Sequence, residues 1–118
     1  MLFRSKSIGG LIRSTHRKND IFSRFGVDEF CVVLPKASLA NGLMVAERTR
    51  RAIENFPFVV RCRSNGEIDK NPLPVTVSIG VCTYAVGAPS QALLFNANQA
   101  LELAKEKGRN RVEGYQPV

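Results

Sequence analysis

Two adjacent carboxylates, Asp28 and Glu29, are the residues of this chain whose types and position most directly suggest chemistry. They follow Gly26 and Val27 in a short turn between two apolar, β-branched runs, which predicts that both side chains lie at the tip of a β-hairpin. Carboxylate oxygens are the ligands that hard cations such as Mg²⁺ require. A solvated polar turn without a ligand is the alternative that the pair, taken by itself, favours.

A second group of candidate residues is mainly basic. Lys105 and Arg109 have i, i+4 spacing, which places both on one side of the last turn of a predicted helix. Arg17 and Asp20 precede the hairpin, and Arg48 lies on the helix that follows it. Charge clusters are usually solvated surface. The simplest interpretation of Arg17 and Asp20 is an i, i+3 surface pair worth about 0.2–0.5 kcal/mol.

The elements that must position these side chains follow from the apolar periodicity of the sequence. Residues 7–17 have one apolar face at helical spacing, whereas 21–25 and 30–34 are strand-like runs on either side of the turn. With the later segments, this order predicts an α+β, ferredoxin-like sandwich in which helices cover one sheet. The later segments are a helix at 38–55 with Ser38 as N-cap, a strand at 58–63, a hairpin turn at Asn65-Gly66, a loop at 69–74, a strand at 74–81, a helix that Ser90 caps and Gly108 ends, and a strand from Arg111.

The buried faces of the two longer helices are predicted from the same spacing. The charged side chains of the helix at 38–55 are predicted to lie away from its buried face. The predicted buried residues are Leu39, Leu43, Ala46 and Ile53 on the helix at 38–55, and Leu93, Leu94, Ala97, Leu101 and Ala104 on the last helix.

Composition limits the class of protein. A chain of 118 residues with 44% hydrophobic content suits one soluble domain, residues 1–118. Its net charge of +7 favours anionic partners such as nucleotides, nucleic acid or acidic membranes, without choosing among them. The three cysteines lack metal-type spacing and fit reduced thiols. No apolar run approaches the ~18 residues of a membrane span, and the first residues lack a secretory signal, so a cytoplasmic location is expected.

Four segments in order give the chain a resemblance to GGDEF domains, the diguanylate cyclases that make cyclic di-GMP from two GTP. They are RFGVDEF, AERTR at 46–50, VTVSIGV at 75–81 and AKEKGRNRV at 104–112. The resemblance covers about residues 8–112 and implies a nucleotidyl-cyclase-like sandwich. In that family the hairpin presents acidic groups to two divalent metal ions such as Mg²⁺, which stabilise the attacking and leaving oxygens.

The resemblance implies a role for each residue that matches a family motif. Asp28 matches the metal-binding carboxylate, and Glu29 matches the second, catalytic acidic residue. Gly26, Lys105 and Arg109 match contacts to the GTP phosphates.

The tetrapeptide RKND matches the family's product-inhibition motif, RxxD. Arg17 and Asp20 are its ends, and their spacing before Gly26 is the spacing that the family uses. Arg48 matches a further arginine of that site. An arginine fork suits guanine edges and phosphates, and an aspartate accepts from guanine N–H groups. The resemblance therefore implies a cyclic di-GMP site at Arg17, Asp20 and Arg48.

The sequence departs from the family in two places. Val27 replaces the second glycine of the motif, and a β-branched residue resists positive φ and fills space that the substrate needs. The family also has a first strand and its helix before the hairpin, with a further metal-binding aspartate. We therefore expect an N-terminally truncated domain that lacks these elements, in which Asp28 and Glu29 are vestigial.

Three functions stay open from the sequence. The favoured one is a catalytically incompetent GGDEF domain that binds cyclic di-GMP or acts as a protein-interaction module, with no cofactor. The alternative is a diguanylate cyclase, with Mg²⁺, that missing sequence or another chain completes. The second alternative, a small basic nucleic-acid-binding protein, rests on net charge only and has no obvious stacking platform. A missing central strand would also expose sheet edges, which predicts a homodimer or another protein partner.

Overall fold

The computed structural model describes residues 9–14, 16, 20–26, 28–59 and 72–115. Within these residues, helices and strands follow the predicted order, with one additional short strand. The elements are α1 (9–14), β1 (Ile21–Arg24), β2 (Phe30–Val33), α2 (Leu39–Glu54), β3 (Phe58–Val59), β4 (Pro72–Leu73), β5 (Ile79–Val81), α3 (Ser90–Glu106) and β6 (Val112–Gly114).

The strands of the described residues pair as three two-stranded sheets, so the helices cover several short sheets and not one continuous sheet. β1 and β2 are antiparallel, β3 and β4 are antiparallel, and β5 and β6 are parallel. β4 lies where a loop was predicted, and that prediction is wrong for Pro72 and Leu73. A two-residue strand at a sheet edge tolerates a proline, because the missing N–H is not needed there.

The hairpin of β1 and β2 forms because alternate side chains reach the core. Phe22 and Phe30 stack with their ring centroids 5.4 Å apart, and both pack against the buried core of Ile12, Ile53 and Val75. Strand alternation turns the opposite face outward, where the paired residues Ile21 and Val33 are exposed. Their exposed pair leaves an apolar patch on the outer face of the hairpin.

Helix α2 begins where the sequence predicts. The side chain of Ser38 accepts a hydrogen bond from the backbone N–H of Asn41 at 3.2 Å, which satisfies one of the free donors at the helix start. The fully buried positions are Gly42, Ala46, Thr49 and Ile53, whereas Leu39 and Leu43 are half-buried. The buried stripe is shifted towards small residues because α2 packs closely on β5 and β6.

Helix α3 differs from prediction at its start. Pro89 is the N-cap and Ser90 is the first helical residue, and no side chain caps the helix. At the other end Gly108 has a φ of +117°, the left-handed conformation that was expected of a residue that ends a helix. Ala100 and Ala104 are its buried residues, and Leu94, predicted to be buried, is exposed because the packed face is one of small side chains.

Strand β5 is shorter than the predicted strand at 74–81, since only Ile79–Val81 has a partner among the described strands. Its Gly80 lies directly under α3. A Cβ at this position would overlap the carbonyl oxygen of Ala97 and the amide nitrogen of Leu101. Val75, before the strand, packs in the core with Ile12 and Ile53. Within the described residues, no helix is long and apolar enough to cross a membrane.

Candidate functional site

The hairpin turn presents the two adjacent carboxylates to solvent. The turn is closed by the N–H of Phe25, which donates to the carbonyl of Glu29 at 2.9 Å, and by Arg24 Nε, which donates to the carbonyl of Gly26 at 2.8 Å. Asp28, Glu29 and Gly26 are all exposed. Val27 lies outside the described residues, so its predicted effect on the substrate stays a prediction.

A magnesium site needs several oxygen ligands that face one point. No group of three or more His, Cys, Asp or Glu side chains that could hold a metal occurs in the described parts of the chain. The described residues therefore add no third carboxylate, imidazole or thiol to Asp28 and Glu29.

Lys105 lies in the last turn of α3, and Arg109 lies just beyond the end of that helix. Lys105 is half-buried on α3, with Nζ 3.5 Å from Oε1 of Glu102. Arg109 is exposed beyond the end of the helix and has a φ of +66°. Helix α3 packs mainly on β5 and β6, whereas the hairpin packs on the core of Ile12, Ile53 and Val75. Helix α2, which carries Ile53 and also packs on β5 and β6, joins the two regions.

A polar network beside Arg109 was not predicted. Arg50 on α2 donates to both carboxylate oxygens of Glu47, at 2.6 and 3.0 Å, and to Oε1 of Glu54 at 3.3 Å. It also donates to Oδ1 of Asn110 at 2.9 Å, and Nδ2 of Asn110 donates to Glu54. We call these four residues, Glu47, Arg50, Glu54 and Asn110, the Arg50 clamp. The clamp ties α2 to the chain just before β6.

The hydrogen bonds of the clamp favour the ionised form of its two carboxylates. Hydrogen bonds from Arg50 lower the pKa of Glu47 from 4.5 to about 2. The hydrogen bond from Asn110, followed by the charge of Arg50, lowers the pKa of Glu54. The same pairing, chiefly with Glu47, raises the pKa of Arg50. The clamp also borders an open groove of about 420 Å³, whose lining residues are Leu43, Glu47, Arg50, Asn110, Arg111 and Val112.

The turn at 108–110 has three successive residues in the left-handed region. Gly108, Arg109 and Asn110 have φ values of +117°, +66° and +48°. Non-glycine residues adopt this region at a cost, which an Asn tolerates best. The hydrogen bonds of Asn110 to Arg50 and Glu54 stabilise the turn and thereby set the direction in which Arg109 leaves α3.

The implied cyclic di-GMP site is partly assembled around His16. Oδ2 of Asp20 lies 3.5 Å from Nδ1 of His16, and the two side chains are only 10% and 8% exposed. Arg48 on α2 is exposed and close enough for its charge to act on the imidazole. Asp20 therefore contacts His16, and Arg48 acts on the same imidazole through its charge. Arg17 lies outside the described residues.

His16 was assigned no role from the sequence, and its position is a finding of the structure. Burial lowers the pKa of His16, the carboxylate of Asp20 raises it, and the charge of Arg48 lowers it. Thr49 of α2 contacts the other ring nitrogen, Nε2, at 3.4 Å. The i, i+4 spacing of His16 and Asp20 was the available sequence signal. The helix predicted at 7–17 includes His16, whereas in the structure α1 is described at 9–14 and His16 lies in a bend outside it.

The chain is similar to known proteins both in sequence and in fold. A family model described as diguanylate cyclase, GGDEF domain, matches residues 6–111. The diguanylate cyclase DgcP of Pseudomonas aeruginosa is 39% identical over 108 residues, which are 92% of this chain. The chain spans only 15% of the length of DgcP.

Two solved structures have a similar fold. The diguanylate cyclase SiaD of Pseudomonas aeruginosa, in complex with its activator SiaC, superposes with a TM-score of 0.78 at 27% identity, over 91% of this chain and 38% of SiaD. The GGDEF domain of DgcB from Caulobacter crescentus, in complex with cyclic di-GMP, gives a TM-score of 0.80 at 23% identity, over 93% of this chain and 61% of that domain's chain. These superpositions confirm the expected α+β fold.

Proposed function

Since this chain belongs to the GGDEF domain family, we propose that it binds cyclic di-GMP and does not make cyclic di-GMP unaided. The observation that carries the proposal is that Asp20, before β1, lies 3.5 Å from His16, whose pKa is lowered by burial and in part by the charge of Arg48 on α2. The family motif assigns Asp20 and Arg48 to one ligand site.

The residue types of this site suit the ligand. Cyclic di-GMP carries two guanines and two phosphates, so its site needs cations for the phosphates and an acceptor for guanine N–H groups. Arg17 and Arg48 supply planar guanidinium forks, and Asp20 supplies the acceptor. The net charge of +7 adds a long-range attraction for the dianionic ligand.

The absence of unaided catalysis is proposed from the hairpin. Val27 puts a β-branched side chain where the motif has a glycine, so GTP phosphates have less room to approach the backbone. Asp28 and Glu29 are exposed at the tip of the turn, and the described residues add no third carboxylate to them. A two-metal reaction needs ligands that hold both ions close together.

Isothermal titration calorimetry with cyclic di-GMP tests the binding. We expect Arg17→Ala and Arg48→Ala each to lower the affinity about tenfold or more, because each removes a charged hydrogen-bond donor to the ligand. Arg51→Ala is the matched control on the same helix, since Arg51 is 69% exposed and paired with Glu47. Undetectable binding to the parent chain, or equal losses for Arg48→Ala and Arg51→Ala, would contradict the proposal.

The alternative, a diguanylate cyclase that other sequence completes, is favoured by one observation. Asp28 and Glu29 are accessible at the hairpin tip, and DgcP, of which this chain matches a part, is a diguanylate cyclase. Incubation with GTP and Mg²⁺ or Mn²⁺, followed by chromatography of the products, decides between the two. Cyclic di-GMP formed by the chain itself supports the alternative, and no product even after Val27→Gly supports the binding function.

We further propose that the outer face of the hairpin takes a second copy of this chain. Ile21 and Val33 are paired and exposed there, and β2 has no partner on its second edge among the described strands. Light scattering during gel filtration measures the mass, and Ile21→Ser should shift it towards the monomer. Met44→Ser, at another exposed apolar residue on α2, is the control that should leave the mass unchanged. A monomeric parent chain would refute the pairing.

A further inference from the structure

The guanidinium of Arg109 differs from the other cationic groups at the end of α3. Lys105 and Lys107 each contact a carboxylate, at 3.5 and 2.6 Å, and Arg111 donates to a main-chain carbonyl at 3.0 Å. Arg109 is exposed, and its side chain makes no hydrogen bond or ion pair within the part of the chain that the structure describes. Its N–H donors are therefore available to an anion from solution.

The main chain around Arg109 is held by hydrogen bonds back to α3. The N–H of Arg109 donates to the carbonyl of Ala104 at 3.0 Å, and the N–H of Gly108 donates to the carbonyl of Lys105 at 3.3 Å. These two bonds form a Schellman motif, in which the first residue after the helix is left-handed. The motif accounts for the positive φ of Gly108, but the positive φ values of Arg109 and Asn110 lie beyond it.

The side chain of Asn110 supplies the support that this motif lacks. It accepts a hydrogen bond from Arg50 at 2.9 Å and donates one to Glu54, and both partners lie on α2. Arg50 is only 13% exposed and is itself bonded to Glu47, so the helix side of the contact is fixed as well. Left-handed non-glycine residues that their surroundings hold in place occur preferentially at ligand sites.

We propose that Asn110 is a positioning residue, which through the left-handed turn holds the guanidinium of Arg109 in the direction needed to bind the phosphate groups of a nucleoside triphosphate. The planar fork of an arginine binds two phosphate oxygens at once, so its direction matters more than that of a lysine. The family motif implies the phosphate contact of Arg109, whereas the role of Asn110 and its partners on α2 comes from the structure. This site lies beyond the proposed cyclic di-GMP site and shares no residue with it.

Asn110 contributes to binding by ordering the turn before the ligand arrives. A mobile segment loses conformational entropy when a ligand fixes it, and this loss reduces the affinity. A turn that is already bonded to Arg50 and Glu54 has lost part of that entropy in the free protein. Removal of the Asn110 side chain should therefore weaken phosphate binding about three- to tenfold, although no group that touches the ligand is lost.

Calorimetry with inorganic triphosphate on the full chain, in about 0.1 M salt, tests this role. The probe has no guanine, so it reports phosphate contacts. Arg109→Ala should lower the affinity about tenfold or more, because it removes a charged donor. Asn110→Gly should lower it about three- to tenfold, since glycine accepts the positive φ but cannot bond to α2.

A control variant accounts for the change in net charge. Lys36 is exposed and lies before α2, at the opposite end of that helix from Arg50 and Glu54. Lys36→Ala removes one positive charge that is more than a screening length from the turn, and should change the affinity less than about twofold.

A double-mutant cycle separates positioning from a purely structural role. If Asn110 acts through Arg109, Asn110→Gly should have almost no further effect, less than about 1.5-fold, in the Arg109→Ala chain. A purely structural role would lower the affinity by the same factor in both backgrounds. Hydrogen exchange without ligand gives a second measurement, because the amide of Arg109, which is bonded to Ala104, should exchange faster in Asn110→Gly. Arg50→Ala opens the same contact from α2 and replaces Asn110→Gly if circular dichroism shows that the latter unfolds.

Each outcome supports or overturns the role of Asn110. An unchanged affinity in Asn110→Gly, or an equal loss in both backgrounds of the cycle, overturns it. No binding of triphosphate to the parent chain, or full affinity in Arg109→Ala, also overturns it, because no phosphate contact of Arg109 is then left to position. The binding of cyclic di-GMP is measured separately with Arg17→Ala and Arg48→Ala, so a failure here is distinct from a failure of the proposed function.

Discussion

The hairpin and the Arg50 clamp both place two carboxylates on the surface of this domain, but they differ in what surrounds those carboxylates. Asp28 and Glu29 extend from a turn that only main-chain and Arg24 hydrogen bonds close. Glu47 is half-buried and Glu54 is exposed, and each is held by Arg50 or Asn110 at hydrogen-bonding distance.

Among the described residues, the acidic motif at the hairpin turn is therefore separate from the Arg50 clamp, in which side-chain hydrogen bonds hold the carboxylates. The clamp lies in the unit of α2, α3, β5 and β6, where backbones approach closely and small residues are buried. The hairpin lies with α1 on a small core of larger apolar side chains, to which α2 also contributes Ile53. Substitutions and pH should therefore affect the two units differently, and the following predictions test that contrast.

The largest contrast is expected from one substitution made in both units. Gly80→Ala places a methyl group into the backbone of α3, so we expect a loss of about 3 kcal/mol or more in the free energy of unfolding. Gly26→Ala, in the hairpin turn, meets no atom within 4 Å and should change it by less than about 0.5 kcal/mol. Urea unfolding followed by circular dichroism measures both. Equal losses would mean that α3 moves aside easily.

A smaller effect is expected from opening the clamp. Arg50 is 13% exposed and serves three partners, so Arg50→Ala should lower the free energy of unfolding by about 1–2 kcal/mol. Arg51→Ala removes only an exposed pair with Glu47 and should cost less than about 0.5 kcal/mol. Thermal unfolding of both variants provides the measurement. A larger loss from Arg51→Ala would show that the clamp does not stabilise the fold.

Acid should weaken the clamp as the pH falls from about 4.5 towards 2. The pKa of Glu47 in the folded chain is about 2, below its ordinary 4.5, so its contribution is complete above pH 4.5 and is lost as the pH falls towards 2. The carboxylate is more than a third exposed, and solvent screening reduces the contribution to about 1 kcal/mol. Stability measured across this range should fall less steeply in Arg50→Ala. An unchanged slope would contradict the assignment to Glu47.

The smallest effect concerns the hairpin side of the comparison. The pKa of His16 is lowered in the folded chain, so the neutral form is favoured and stability declines as the pH falls below about 6.5. His16→Asn should remove the decline between about pH 6.5 and the onset of the Glu47 transition, and leave that later transition in place. Chemical unfolding at several pH values separates the two windows. Loss of both in one variant would mean that the units are not independent.

Local signals in the sequence predicted much of this fold. Ser38 caps α2 as expected, and Gly108 ends α3 in the left-handed conformation. Ser90 was a plausible cap, but Pro89 already has the extended backbone that the position needs. The strand expected at 74–81 narrowed to Ile79–Val81, because pairing with β6 decides its length and pairing is not a local property.

The candidate site was predicted less completely. The family motif singled out Asp20 and Arg48, and their role in a ligand site stays a prediction. Arg17 and Val27 lie outside the described residues. His16 and Asn110 were missed. Their importance comes from partners far along the chain, Thr49 for the first and Arg50 for the second, and no periodicity or turn preference encodes such contacts.

The Arg50 clamp also has a consequence for the order of events during synthesis. Asn110 is 60 residues further along the chain than Arg50, so α2 leaves the ribosome well before its partner does. Glu47, Arg50 and Glu54 can pair within the nascent helix, at i, i+3 and i, i+4 spacing. The hydrogen bonds of Asn110 to Arg50 and Glu54 can form only after α3 and the left-handed turn at 108–110 have been made.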